Sequence, residues 1–304
     1  MPITESTINT LKFAEEFSSN LDKVIVRESV VGFLLDNNFR TKFMGARTVR
    51  MPDISMVGLA NYSRDEGFVR GGITVGQQDF TLSMDRGRQL IMDREDLDET
   101  GIANLSAEIM KEFVRTEVTP EIDSYTLSKL AQVALGEDHA YTVGGEGSYY
   151  ADLMKCVSAI REKIGYKEEL VALADGTFYN GLMSGVEKGK TIDIGNFKSG
   201  EIDTQVNRVN GVPIIPAPSE WMKSAFEATN DGLKVDSGAK SVHLIVMPKK
   251  AASLVKKTET MRIFTPDQNK DADAYVFNYR VYYDVFVKKS NLGTIHAVFD
   301  ELPV

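Results

Sequence analysis

The chain has 304 residues, of which 42% are hydrophobic and 26% are charged, with a net charge of −9 and a pI of about 5.1. This composition is typical of a folded protein with one large domain or two modest ones. The negative net charge argues against direct binding of nucleic acid. No apolar run is long enough to span a membrane. Cys156 is the only cysteine, so no intrachain disulfide can form and a reducing compartment such as the cytosol is expected.

The N-terminal residues, 1–44, have the pattern of an arm rather than of a domain. Apolar islands such as Val24–Val26 and Val30–Leu35 stand in polar sequence and are too sparse to form a core of their own. The first residues have neither a basic stretch nor an apolar stretch, so they are not expected to form a signal peptide.

Residues 45–92 predict a long hairpin. Arg47–Met51 is a strand candidate, the middle is rich in Gly, Asn, Ser and Asp, and apolar residues alternate again from Ile73 to Met84. A stripe of apolar residues then predicts one long helix from about Leu105 to Leu135. Pro120 lies inside that stripe, so a kink or broken turn is expected near Thr119.

The region from Gly136 to Val246 has a mixed α/β pattern. A helix is predicted at Tyr149–Ile164, and strands are predicted at Leu170–Leu173, Val212–Pro216 and Val242–Val246. Three further elements are predicted towards the C-terminus: a small helix at Lys249–Lys257, a hairpin at Ser290–Gly293 and a closing strand at Thr294–Phe299.

The segment Asp271–Val287 predicts one long strand with apolar side chains on both faces. Tyr275 and the alternate residues after it form one face, and the other face includes Tyr282 and Phe286. A strand of this kind must be covered on both sides, so we expect its second cover to come from another subunit.

Charge is distributed unevenly along the chain. Residues 93–123 hold ten acidic and three basic residues, a balance of −7, whereas residues 40–50 hold four basic residues and no acidic one. Two segments of opposite sign suggest complementary surfaces, although two separately solvated faces explain the same pattern.

No catalytic or metal-binding set stands out in the sequence. His139, His243 and His296 lack ligand-like spacing, and His243 lies inside an apolar strand, which favours a structural role. Cys156 lies on the apolar face of a helix, where a small buried side chain is expected. The acidic run Asp93–Glu99 lacks the spacing of a calcium loop, and Gly144–Gly147 lacks the residues of a phosphate loop.

A set of short motifs resembles the major capsid proteins of tailed phages of the Hong Kong 97 fold, the type common in phages and prophages of Gram-positive bacteria. The motifs are Met51–Ile54, Asn61–Arg64, Asp85–Gly87, Pro120–Tyr125 and Asp271–Val287, and they occur in the family's order. Each is weak alone, but the ordered set covers the chain from about residue 10 to residue 300.

The resemblance implies an α+β architecture with four parts. These are an N-terminal arm at 1–44, an extended hairpin or E-loop at 45–92, a peripheral domain with a long spine helix at 93–139 and 251–304, and an axial domain at 140–250. It also implies a structural protein, not an enzyme, that self-assembles as pentamers and hexamers into an icosahedral shell around double-stranded DNA.

The same resemblance implies partners and a location. Besides other copies of itself, the chain is expected to work with a separate scaffolding protein, since it begins almost at its arm, and with portal and head-completion proteins. It would enclose DNA without sequence-specific binding, need no cofactor, metal or membrane, and be made in the bacterial host cytoplasm before entering the virion. In some relatives, an E-loop lysine forms a covalent isopeptide cross-link with an asparagine in the shell. This E-loop has no lysine, which argues against that cross-link here.

Three alternatives stay open at this point. An encapsulin-like nanocompartment shell shares the fold and encloses a cargo enzyme, and another phage structural protein such as a tail component shares the class. An α/β enzyme using Cys156 or a histidine is the third.

The resemblance gives the charge pattern an assembly role, because the E-loop of this fold lies over a neighbouring subunit. The hypothesis pairs a basic stem with the neighbour's acidic helix and places inter-subunit contacts at Arg40, Lys42, Arg47, Arg50, Arg64, Glu108, Glu112, Glu117, Glu121, Tyr282 and Phe286.

Overall fold

The computed structural model describes residues 29–35, 42–44, 48–62, 64–65, 67–95, 105–145, 147–184, 192–199 and 202–303. The strands of this part are β1 (Lys42–Met44), β2 (Thr48–Met56), β3 (Ile73–Thr81), β4 (Met84–Asp93), β5 (Ala140–Thr142), β6 (Leu170–Asp175), β7 (Ile192–Ser199), β8 (Ile202–Val209), β9 (Val212–Ala217), β10 (Phe226–Thr229), β11 (Gly232–Val235), β12 (Val242–Pro248), β13 (Ala252–Phe264), β14 (Ala274–Val287) and β15 (His296–Phe299). The α-helices are α1 (Leu105–Phe113), α2 (Thr119–Gly136), α3 (Tyr149–Ile164) and α4 (Gly176–Ser184). The mixture of helices and sheets confirms the predicted α+β class.

A long helix formed by α1, a π-helical segment at Val114–Val118, and α2 runs along the core. Its existence confirms the sequence prediction, and the irregularity expected near Thr119 takes the form of this π segment. Pro120 has no N–H to donate into an α-helical ladder, so the turn before it widens. The Thr119 hydroxyl donates to the Val114 carbonyl oxygen at 3.0 Å and supports the wider turn.

The long helix packs on a three-stranded antiparallel sheet with the order β13-β14-β4. One face of β14, from Phe277 through Val287 at every second residue, belongs to the core shared with this helix. The predicted long strand is therefore confirmed, and so is the assignment of this face to the core.

The small helix predicted at Lys249–Lys257 is wrong, because β13 begins at Ala252. Residues Ala252 and Leu254 lie opposite Val287 and Val285 of β14 and are buried. A distant strand thus supplies the backbone partners, and pairing of this kind overrides local helix preference.

A larger, seven-stranded sheet has the order β5-β15-β12-β6-β9-β8-β7. Its central strands are buried on both faces: Val171 and Leu173 of β6 belong to the core shared with α2, whereas Ala172 and Ala174 belong to the core shared with α3 and α4. Two-sided burial explains why these strands are continuously apolar in the sequence.

The closing strand does not join β14 in a hairpin, so that expectation is wrong. A 3₁₀ segment at Lys289–Thr294 redirects the chain, and β15 enters the seven-stranded sheet between β5 and β12. All four residues of β15 are buried, and a strand inside the larger sheet has cover on both sides. Residues 296–299 therefore pair with the 140–250 region instead of completing the β13-β14-β4 sheet.

Candidate assembly surface

The hairpin of β2 and β3 has a stem that packs on the chain's own body. Val49, Met51 and Leu82 form a buried cluster with Tyr282 and Phe286. The Tyr282 hydroxyl donates to the Leu82 carbonyl oxygen at 3.2 Å. Tyr282 is 9% exposed and Phe286 is 4% exposed. The expectation that another subunit covers these two side chains is therefore corrected, because the chain's own hairpin covers them.

The apolar face of the hairpin changes sides between the stem and the outer half. In the stem, Val49 lies opposite Phe80 and Met51 lies opposite Gln78, and this face meets the body. In the outer half, the pairs are Ile54 with Val75 and Met56 with Ile73. The register runs without a bulge, so odd and even positions of β2 point to opposite faces. The outer apolar face thus points away from the face that the stem buries.

These four outer side chains, Ile54, Met56, Ile73 and Val75, are between 56% and 69% exposed. Five more exposed apolar side chains continue the surface around the tip: Val57, Leu59, Tyr62, Phe68 and Val69. Elsewhere in the described residues, only four large apolar side chains are comparably exposed: Ile91, Tyr166, Val235 and Leu302. A concentration of this kind marks an interaction surface. We call the residues 54–75 that carry it the outer hairpin.

A buried carboxylate fixes the point where the hairpin leaves the body. Asp284 accepts hydrogen bonds from the Ser83 N–H at 2.9 Å, from the Ser83 hydroxyl at 2.7 Å and from the Tyr125 hydroxyl at 2.9 Å. Burial raises the pKa of Tyr125, so it remains a neutral donor. One acceptor thus joins the end of β3, the long helix and β14, and sets the direction in which the outer hairpin points.

The described basic residues of the docking hypothesis differ in their surroundings. Arg50 forms a two-point ion pair with Asp79, its cross-strand partner in the same hairpin, at 2.7 and 2.8 Å. Arg64 is exposed at the hairpin tip and has no ion-pair partner among the described residues. Lys42 lies in β1, but its side chain is outside the described part, as are Arg40 and Arg47.

The acidic residues of the hypothesis also divide into two groups. Glu121 is held by Arg86 at 2.6 and 3.2 Å, and Glu112 is held by Arg115 through two hydrogen bonds. Glu108 and Glu117 are exposed and have no such partner within the described ranges. Inter-subunit roles for all these residues remain predictions, but the charges already neutralised within the chain have less to gain from a neighbour.

A second buried carboxylate, missed by the sequence analysis, anchors the segment before the hairpin. Asp123 of the long helix accepts hydrogen bonds from the Ser29 hydroxyl at 2.5 Å and from the Val30 N–H at 2.8 Å. Burial raises the pKa of Asp123 to about 7. Phe33 and Leu34, just beyond, are buried in the main core. Asp123 appeared in the sequence only as one more acid in an acidic run, and nothing in the pattern distinguished it.

Cys156 and His243, the two residues considered above for a chemical role, are both held by the chain's own packing and hydrogen bonds. Cys156 is fully buried in the core shared by α3 and the larger sheet, and burial raises the pKa of its thiol to about 12. His243 bonds through Nδ1 to Asp175 at 3.0 Å, and this partner raises the pKa of His243. Cys156 is therefore the small buried side chain that the sequence predicted, and His243 has a hydrogen-bond partner within the fold.

Two features are absent from the described part of the chain. No three side chains of the types His, Cys, Asp or Glu come together there as a metal site would require. None of its helices combines the length and apolar character needed to cross a membrane.

Comparisons with known proteins identify the fold. No family model matches the sequence, and no curated protein matches it either. Among solved structures, the chain is similar to the mature capsid of bacteriophage PhiM1 (TM-score 0.54, 15% identity, 84% of this chain and 82% of that chain). It is also similar to the capsid of cyanophage P-SCSP1u (TM-score 0.57, 11% identity, 85% and 84%) and to a virus-like particle from Pyrococcus furiosus (TM-score 0.51, 13% identity, 94% and 99%). The chain therefore has the phage capsid fold, as its resemblance to tailed-phage major capsid proteins implied.

Proposed function

We propose that the chain is the major capsid protein of a tailed phage and that it self-assembles as pentamers and hexamers into an icosahedral shell around double-stranded DNA. The observation that carries the proposal is the outer hairpin, an apolar surface on a capsid fold that faces away from the chain's own core. A structural role follows, with the outer hairpin as the assembly element.

The outer hairpin supports assembly through its burial. Covering the exposed parts of Ile54, Met56, Ile73 and Val75 contributes about 1–2 kcal/mol for each side chain. The stem holds the outer hairpin on one side of its own subunit. The outer hairpin of one subunit therefore contacts a different surface on its neighbour, not the neighbour's own outer hairpin. Such a head-to-tail contact closes into rings when the rotation between subunits allows it.

The architecture maps onto the parts of a capsid subunit. The hairpin of β2 and β3 serves as the E-loop. The E-loop predicted at 45–92 is too long, because its residues 84–92 lie in β4 and pair with β14 in the sheet beside the long helix. The long helix is the spine of the peripheral domain at 93–139 and 251–304, and the seven-stranded sheet forms the axial domain at 140–250, joined by β15. Residues 1–44 would be the arm, of which the structure describes only residues 29–35 and 42–44. A separate scaffolding protein, a portal and head-completion proteins complete the head, which is made in the host cytoplasm and becomes part of the virion.

The test is electron microscopy and light scattering of the purified protein, with a hairpin variant beside it. We expect closed shells, or pentamers and hexamers that close with a scaffold or a change of salt. The double variant Met56→Ser with Ile73→Ser should stay folded and fail to assemble, because both changes lie on one exposed cross-strand pair. Val235→Ser, an exposed apolar position elsewhere, is the matched control and should assemble. A wild type that stays monomeric under all these conditions would contradict the proposal.

The contents of the shell distinguish a phage capsid from an encapsulin-like nanocompartment. Shells isolated from producing cells should protect DNA from nuclease. A protein cargo in place of DNA would favour the nanocompartment.

A further inference from the structure

Two links lead from the long helix and the three-stranded sheet into the seven-stranded sheet, and a histidine lies at the end of each. The first link, 137–139, joins α2 to β5 and ends at His139, and the second link, 288–295, joins β14 to β15, which begins at His296. The two imidazole rings stack in parallel, with their centroids 4.5 Å apart. The Ala297 N–H also donates to the His139 carbonyl oxygen at 3.1 Å. The two links are thus joined by a side-chain contact and by a backbone contact, and we call this place the junction.

The side chain of His296 lies on the α3 side of the seven-stranded sheet and is 3% exposed. Ala297 belongs to the core shared with the long helix and Val298 to the core shared with α3, so alternation places His296 on the same side as Val298. From β12 its cross-strand neighbour is the apolar Val246. From β5 the Tyr141 hydroxyl lies 3.1 Å from Nδ1 of His296, where a neutral imidazole can accept its hydrogen bond.

The second link also receives a lysine. Lys163, in the last turn of α3, donates to the Gly293 carbonyl oxygen at 3.2 Å. A Cβ at position 293 would overlap the Lys163 ammonium and would lie 3.2 Å from Nε2 of His139. Glycine at this position therefore lets two basic side chains approach the link together.

A proton on His296 would add charge to a site that is buried and already basic. Burial is the largest cause, followed by His139 and Lys163, of a pKa of His296 that is lowered from 6.5 to about 4. Lys155 of α3 adds a further cation, since its Nζ lies 4.1 Å from the centre of the Tyr141 ring. Protonation would also make Nδ1 a donor and so reverse the hydrogen bond with Tyr141. The closed junction therefore favours neutral His296.

We propose that the stacked histidines form a proton-sensitive lock between the two links, which is closed while His296 is neutral and opens as His296 takes up a proton. The lock gives the subunit a joint, between the long helix and the seven-stranded sheet, whose opening depends on pH. Opening exposes His296 to water, where its pKa returns to about 6.5. The stability of the closed junction is therefore complete above pH 6.5 and is lost as the pH falls towards 4. The inference concerns the single subunit and does not depend on the capsid function.

Hydrogen exchange of unassembled wild-type subunits, followed by mass spectrometry, measures the opening of the junction. Peptides that cover 137–143 and 289–299 are compared with peptides from β13 and β14 at pH 5 and pH 7, after correction for the intrinsic pH dependence of exchange. With a pKa of about 4 when closed and 6.5 when open, the junction should open about twentyfold more often at pH 5 than at pH 7. The peptides from β13 and β14 should not show this increase. An unchanged junction, or an equal increase in β13 and β14, would overturn the lock.

Two variants assign the effect to its residue. His296→Gln removes the titrating group, keeps an oxygen that can accept from Tyr141 and should lose most of the difference between the two pH values. His243→Gln alters the histidine that is bonded to Asp175 and is the matched control, which should keep the wild-type difference at the junction. A folded His296→Gln that keeps the wild-type difference would overturn the proposal. If that variant does not fold, the wild-type comparison of the junction with β13 and β14 decides alone. A wild type that never forms shells would count against the capsid function and would leave the lock standing.

Discussion

Replacing Asp123 by Asn should change how the stability of the subunit depends on pH. Asp123 is fully buried between the long helix and the segment at Ser29–Leu35, and burial raises its pKa to about 7, against 3.8 for an ordinary aspartate. Between these two values the folded state holds a proton that the unfolded state has lost. The contribution of protonated Asp123 to the stability of the folded state is therefore complete below pH 3.8 and is lost as the pH rises through 7.

The size of the effect follows from the two pKa values. A difference of one pKa unit corresponds to about 1.4 kcal/mol, so the free energy of unfolding should fall by about 2.5–3 kcal/mol between pH 5 and pH 8. The amide side chain of the Asp123→Asn variant cannot ionise, so the variant lacks this contribution. That amide keeps one oxygen acceptor for the Ser29 hydroxyl or the Val30 N–H, which preserves part of the local structure.

The measurement is urea unfolding of unassembled subunits at several pH values between 5 and 8, for the wild type and for Asp123→Asn. Glu162→Gln, which removes an exposed carboxylate on α3, is the control and should follow the wild type. The wild-type curve should fall more steeply with pH than the Asp123→Asn curve. Parallel curves would show that Asp123 does not titrate near neutral pH in the folded chain, and the account of its burial would be refuted.

Three other measurements probe the packing and the hairpin. Cys156, which is fully buried and whose pKa is raised to about 12, should resist alkylation at pH 8 until the chain is unfolded, as mass spectrometry of labelled protein will show. Asp284→Asn removes one acceptor from the Ser83 junction, so it should lower stability by about 1–3 kcal/mol and speed hydrogen exchange at the hairpin base. Inserting one Thr after Pro52 and one after Gly76 should turn the outer apolar face to the stem side and block assembly, whereas two residues at each site should restore the facing and at least part of the assembly. Equal assembly of the two insertion variants would contradict this.

The faces of the long strand were predictable from the sequence because side-chain direction alternates strictly in a strand. Phe277 and Tyr279 fall on the core face as expected. What covers the opposite face was not predictable, since periodicity identifies an apolar face but not its partner. The partner, the hairpin stem, lies some two hundred residues earlier in the chain, as the hydrogen bond from Tyr282 to Leu82 illustrates.

Errors at the C-terminus have the same origin. Lys249–Lys257 has a local pattern compatible with a helix, and Thr294–Phe299 follows a plausible turn, but both segments are placed by strands far away in sequence. Non-local pairing decides between such alternatives, and a single sequence carries little information about it.

The residues of the outer apolar face could be read from the sequence, but the pairing register of β2 and β3 was needed to show which face they share. Met51 and Ile54 are both apolar, and only their odd spacing shows that they lie on opposite faces of one strand. The buried role of Asp123 had no comparable signal, because an acidic residue within an acidic run is expected at the surface.

The stem and the outer half of the hairpin have different roles. The stem stabilises the isolated subunit, and the outer half offers a surface to a neighbouring subunit. The stem, including Val49 and Met51, stabilises the isolated subunit through burial that exists before any neighbour arrives. At the start of the outward face, Arg50 is already paired with Asp79, so its charge contributes little new attraction on docking. In the proposed shell, the attraction between subunits then comes mainly from apolar burial further out on the hairpin. Salt screens exposed charges but not apolar burial. If apolar burial supplies the attraction, moderate salt should leave association strong, and light scattering should still detect shells; their dissociation into free subunits would show that exposed charges hold them together.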